Sequence, residues 1–363
     1  MDLRAEYWDN AILGRTLTEN MNCKMNSRNL ALSRPRPVAR ALVLGAIAIA
    51  APTLLRAQPQ VDPGARRVID PYSDVCYWLN LKEASIVGGW DFHAFKDGDT
   101  GKACLEIRRG SREGPVVYRK TAESFGEFRL GQQANPAYDI PRIEDGTDLT
   151  GRGRPDMIVT TWSGGPHCCF YHTIFELKPE LKVVARIDDG DGDLAHFEDL
   201  DGNGHYYYKG NDWTFAYWDA SLEDSAAPAV VLRFVDDEQG GRFHIAMDKM
   251  RTPEPTPEQW KKAIEDAGKA FVEGSNFGDG TGSKLWSNMV NMIYTGHSKL
   301  AWKLLEDTWL TPNRSLAQAP NKDKFLSDFC SQLKASQYWV DMEKTLEDVP
   351  PACTVSEPAR PEK

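Results

Sequence analysis

Two stretches decide how this chain folds: DLTGRGRPDMIVTTW, from Asp148 to Trp162, and DLDGNGHYYYKGNDWTF, from Asp199 to Phe215. Each opens on Asp-Leu, places carboxylate, amide or hydroxyl side chains at alternate positions, and uses glycine to bend sharply. Each then runs into aromatic or β-branched residues, which favour a pleated, half-buried surface. They read as two copies of one β-unit. Around them lie further strand-like runs. ACLEIRRG and GPVVYRKTAESF flank SREG, which has the composition of a hairpin turn, and HAFKDGDTGK before them contains another turn. Further on come LKVVARI and then APAVVLRFVDD with EQGGRFHIAM, the last two paired about Gly240-Gly241. This reading yields nine or ten strands between residues 75 and 248. A complete propeller of four-stranded blades needs more. The expected class is therefore α+β: an antiparallel β-rich domain of propeller-blade-like units over 58–250, then a small helical module over 251–350 and a tail over 351–363.

The Asp, polar residue, glycine and hydrophobic-strand pattern resembles the FG-GAP or VCBS-type repeat of integrin-like β-propellers and of many exported bacterial proteins. The resemblance covers about residues 140–220. It implies a calcium-holding turn, with side-chain ligands at the first, third, fifth and ninth places and a carbonyl at the seventh. On the second copy these places fall on Asp199, Asp201 and Asn203 and on the carbonyl of His205, with Tyr207 where the family has a carboxylate. The first copy offers Asp148, Thr150 and Asp156. It puts Arg152 at the fifth place, where a cation repels Ca²⁺, so it is not read as a metal site. An EF-hand is excluded, because counting from Asp199 puts Gly204 at the sixth place but Gly210, not glutamate, at the twelfth. Just upstream, IDDGDGDLAHFED adds Asp188, Asp189, Asp191, Asp193 and Glu198. Asp189, Asp191 and Asp193 are counted with the turn as oxygen donors, since so many carboxylates in one place call for a cation or full solvation. Without a cation the same loop is a solvated tip held by Asx-type turns.

The beginning of the chain reads as an export signal. ALVLGAIAIAAPTLL, residues 41–55, has the length of a signal-peptide core and is short for a membrane span. Arg28, Arg34, Arg36 and Arg40 precede it, and Ala57 suits cleavage before Gln58. Residues 1–57 are therefore set aside as leader, with Met21 or Met25 as alternative starts, and the product is expected in the periplasm or outside the cell, without membrane insertion. The leader carries eight basic and four acidic residues, so 35 basic and 49 acidic residues remain. Such a balance has no footprint for nucleic acid. Six cysteines remain as well, and an even count fits bridging in an oxidising compartment. The simplest local scheme joins Cys76 to Cys104 and Cys330 to Cys353, leaving the neighbours Cys168 and Cys169 near a turn at Gly164-Gly165-Pro166. Consecutive His167, Cys168 and Cys169 do not wrap one tetrahedral ion.

After Met250 the pattern changes to helix. RTPEPTPEQ is a linker ending in a start signal: Thr256 as N-cap, Pro257 at the first helical position, Gln259 completing a capping box. Apolar stripes follow at Trp260, Ile264, Ala267 and Phe271, at Leu285, Met289, Met292 and Ile293 before Gly296, at Leu300, Leu304 and Leu305, and at Phe325, Phe329 and Leu333. These stripes are expected to form a mutual core. GxSxG, HExxH, P-loop and GxGxxG signatures are absent. The expected function is a non-catalytic exported binding protein for a protein or glycan ligand, with Ca²⁺ stiffening the acidic turn. The alternative is a secreted glycan or ester hydrolase that uses carboxylates of the 188–201 loop.

Overall fold

A computed structural model describes residues 75–122, 126–165, 168–191, 194–237, 240–269, 283–309 and 321–354. The leader, His167, Asp193 and Phe271 lie outside them, as does the side chain of Cys168. Twelve strands occur among the described residues, more than the nine or ten expected, in three four-stranded antiparallel meanders. Sheet one is β1 (Asn80–Val87), β2 (Trp90–Lys96), β3 (Ala103–Arg109) and β4 (Val116–Ala122). Sheet two is β5 (Glu127–Leu130), β6 (Asp156–Gly165), β7 (Cys168–Glu176) and β8 (Lys182–Gly190). Sheet three is β9 (His196–Glu198), β10 (Tyr207–Asn211), β11 (Ala229–Val235) and β12 (Arg242–Ile245). The Gly240-Gly241 connection pairs Val235 with Arg242, as its composition predicts.

Sheet two is the middle layer, and side-chain alternation along its strands shows why. On β6, Met157 and Val159 join a core with Phe92, Leu105 and Ile107 of sheet one, whereas Ile158 between them joins a second core with Phe197, Tyr208 and Leu232 of sheet three. Successive side chains leave a strand on opposite faces, so one strand feeds two cores. The strand after Asp148 is thus buried on both faces rather than half-buried, which accounts for its unbroken apolar run Met157-Ile158-Val159.

The helices begin with a single turn, α1 (Met247–Met250), followed by α2 (Pro257–Gly268), α3 (Ser283–Tyr294), α4 (Ser298–Trp309), α5 (Lys322–Lys334), α6 (Trp339–Met342) and α7 (Pro351–Thr354). The capping box closes as expected: Thr256 Oγ1 accepts from Gln259 N at 3.3 Å, and Gln259 Oε1 accepts from Thr256 N at 2.7 Å. Gly296 ends α3 at φ +80°, where only glycine is unstrained, and His297 N reaches back to the Met292 carbonyl at 2.7 Å. The stripes do more than meet one another. Trp286, Met289, Leu304, Phe325 and Phe329 share one core with sheet three, where Phe215 stands 5.2 Å from the Phe329 ring and Trp218 5.2 Å from the Trp286 ring.

Both local disulfides form. Cys76 is bonded to Cys104 and Cys330 to Cys353, with Cα atoms 5.5 and 5.0 Å apart. Cys169 is also disulfide-bonded. The Cys330 bridge ties α7 to α5 across 23 residues. Replacing both cysteines by serine is expected to lower stability by about 3 kcal/mol, mostly by releasing the unfolded chain. Urea denaturation of the oxidised protein and the double variant checks this, and equal midpoints would contradict it.

Candidate functional site

The two glycine turns have matching geometry. In the first, the Asp148 carboxylate accepts from Arg152 N at 3.0 Å and Gly153 N at 2.7 Å; in the second, Asp199 accepts from Asn203 N at 3.1 Å and Gly204 N at 2.7 Å. Each turn passes twice through positive φ, at Gly151 and Gly153 and at Gly202 and Gly204. One turn leads into β6, the second strand of sheet two, and the other towards β10, the second strand of sheet three. They also abut, since a Cβ on Gly151 would lie 3.5 Å from Nδ1 of His205.

The oxygens expected to hold Ca²⁺ make other bonds. Hydrogen bonds from the backbone N–H groups of Gly204 and Asn203 hold the Asp199 carboxyl below its usual range. Asp201 pairs with Lys249 and accepts from the Tyr207 hydroxyl at 2.9 Å, both of which lower its pKa, Lys249 the more. Asn203 Oδ1 takes the His205 N–H at 2.9 Å. Asp189 is fully buried on β8. Among the described residues no three His, Cys, Asp or Glu side chains converge as a metal site. Each turn is instead braced by a cation of the chain itself. Lys249 does this at Asp201, and in the first copy Arg152 reaches Glu176 at 3.4 Å and Asp236 at 3.2 Å.

The acidic run before the second turn is divided by the pleat of β8. Asp189 faces sheet three, where its carboxylate lies 2.8 Å from His172 Nε2 and accepts from the Tyr208 hydroxyl. His172 Nδ1 lies 2.9 Å from Thr160 Oγ1. The order hydroxyl, imidazole, carboxylate is that of a nucleophilic relay. Yet Thr160, His172 and Asp189 are 9, 7 and 0% exposed, and Tyr208 closes over them. Burial raises the pKa of Asp189 although His172 and Tyr208 oppose it, and burial also pushes the Tyr208 hydroxyl well above its ordinary range.

Asp188 points the other way, towards sheet one, beside Tyr171. Burial, and secondarily Asp189, pushes its carboxyl up to about 8. Because the folded value exceeds the ordinary 3.8, the native chain holds this proton more tightly than the unfolded chain. That contribution is complete below the unfolded value and is lost as pH rises through the folded one. Asp188→Asn is therefore expected to match the parent near pH 4 and to exceed it at pH 9 by on the order of 3 kcal/mol. Denaturation midpoints of both proteins across that range measure the difference, and parallel curves would refute it.

A second buried network joins sheet three to the helices, and nothing in the local sequence announced it. Asp212, just after β10, accepts from Thr214 N at 2.8 Å, Ser336 Oγ at 2.5 Å, and the hydroxyls of Tyr294 and Thr214. Its partners Tyr294 and Ser336 are 82 and 124 residues away, and only the short Asp212-x-Thr214 spacing was readable as a turn. Tyr338 is fully buried nearby. Burial, then Asp212, Asp189 and Asp188, raises its pKa, which sets it between the two networks.

No family model, curated protein or solved structure matches this chain.

Proposed function

We propose that this chain is an exported, non-catalytic binding protein in which three stacked sheets and a helical layer form a rigid frame. The frame presents the abutting Asp148 and Asp199 turns and the clefts at the sheet edges. The observation that carries this reading is the state of the groups capable of acid–base work. Thr160, His172, Asp189 and Tyr208 are bonded to one another inside the core, as are Asp212, Tyr294 and Ser336. Networks buried this deeply rigidify a fold and are shut off from a substrate in solvent. Asp188 and Asp189 leave opposite faces of β8, so these two carboxyls do not face one another across a common site.

The likeness of the two turns to the FG-GAP or VCBS unit supports a presenting role, with Asp199, Asp201, Asn203 and the His205 carbonyl as the Ca²⁺ ligands of the second turn. Lys249 competes there for Asp201. Calcium titration by calorimetry on the parent and on Lys249→Ala tests this, with the variant expected to bind more tightly. Absence of heat from both removes Ca²⁺ from the reading. Turnover of generic glycoside or ester substrates by the parent, lost in Asp199→Asn/Asp201→Asn, overturns the binding role in favour of hydrolysis.

A further inference from the structure

Between sheets one and two, the edge strands β4 and β8 bring two half-buried cations, Lys120 and Arg186, to one cleft. From β4, Lys120 Nζ lies 5.9 Å from the centre of the Tyr171 ring, and the Tyr118 ring stands 5.1 Å from that of Phe175. From β8, the Arg186 guanidinium lies close enough to the Tyr118 hydroxyl to oppose the rise in pKa that burial causes there. Arg186 is also close enough to Lys120 that burial, and then the guanidinium charge, brings the ammonium down to about 8. Arg186 Nε is buried with no hydrogen-bond partner among the described residues. Asp188, on the same face, is itself pushed up to about 8 and is mostly uncharged at neutral pH. Two half-buried cations side by side are costly to fold unless an anion joins them.

Beyond Tyr118 the cleft opens into a cavity of about 180 Å³ lined by Trp90, Arg109, Tyr118, Phe175, Glu180 and Val183. The Arg109 guanidinium covers the Trp90 ring at 5.2 Å, and Tyr118 and Phe175 supply the other aromatic walls. Its volume is of the size that takes a single six-membered ring, about 150 Å³ in closed apolar cavities. Glu180 in the lining disfavours a second negative charge.

We propose that this cleft binds a small ring-bearing monocarboxylate, its carboxylate between Lys120 and Arg186 and its ring against Tyr118 and Phe175. Paired cations with a hydroxyl donor suit a carboxylate, and the aromatic walls suit the flat body attached to it. The proposal rests on the reading of the chain as a binding protein and assigns a ligand class to one of its sites.

Calorimetry with benzoate on the full mature protein at pH 7 tests it, with benzyl alcohol and inorganic phosphate as controls. Benzoate is expected to bind at least tenfold more tightly than either control, and Lys120→Met and Arg186→Met are each expected to weaken it at least tenfold. Both variants remove a charge that burial disfavours, so their melting temperatures should equal or exceed that of the parent. Benzoate binding is also expected to take up a proton at pH 9, because the bound carboxylate restores the charge of Lys120. This is read from heats in two buffers of different ionisation enthalpy. Among the described residues, the groups facing Lys120 are Tyr118 on its own strand, Tyr171 on β7, and Arg186 and Asp188 on β8. Asp188 ionises in the same range, so the measurement is repeated in Asp188→Asn, where the uptake should persist. No benzoate binding, equal affinity for benzyl alcohol or phosphate, unchanged affinity in the two Met variants, or no proton uptake in Asp188→Asn overturns the proposal. Failure of benzoate leaves the turn-based reading standing. Substrate turnover removes that reading and leaves the cleft to be judged by its own affinities.

Discussion

Asp212→Ala is expected to lower the unfolding free energy by on the order of 4 kcal/mol, because it strips a buried acceptor from several donors at once. The Asp212 side chain is 1% exposed and serves Tyr294, Ser336 and Thr214 from sheet three and two separate helical segments. Without it, the Tyr294 and Ser336 hydroxyls stay buried in the same core beside Tyr338, with little but each other to bond. Tyr294→Phe removes one donor and keeps the carboxylate bonded, so about 1 to 2 kcal/mol is expected there. Urea denaturation followed both by far-ultraviolet circular dichroism and by tryptophan fluorescence measures the losses. Trp218 and Trp286, in edge contact at 5.2 Å, report on the same junction. The two signals should coincide in the parent, since one apolar core runs through sheet three and the helices. A loss below about 1 kcal/mol for Asp212→Ala would show that the network adds little.

The second large effect is expected at Asp189. Replacing it by alanine leaves the Tyr208 hydroxyl without its acceptor and His172 without the carboxylate beside its Nε2, inside a buried sheet interface, at a cost on the order of 3 kcal/mol. Asp189→Asn keeps an oxygen for Tyr208 and sheds the buried charge, so it should fall well short of that loss. The ranking matters more than either value. If asparagine were as damaging as alanine, the charge on Asp189, not its role as acceptor, would hold sheets two and three together.

Much of the fold was legible because its signals are local. The hairpin at Gly240-Gly241, the capping box of Thr256 and Gln259, the stop at Gly296 and the four apolar stripes each depend on groups a few residues apart. The likeness of the two turns was legible for the same reason, since Asp148 and Asp199 bond backbone N–H groups four and five residues ahead. Sequence proximity puts Asp188 and Asp189 together, but the pleat turns one to sheet one and the other to sheet three.

By itself, then, the chain's order of residues determined the strand-rich body, the helical end, the positions of the turns and the two local disulfides, all through contacts short enough for chain connectivity to enforce. Only the stacking of the layers decided that Asp189 meets His172 and Tyr208, that Asp212 meets Tyr294 and Ser336, and that Lys120 stands beside Arg186. Those partners are brought together by the burial of apolar strand faces against one another, which acts without regard to their separation along the chain.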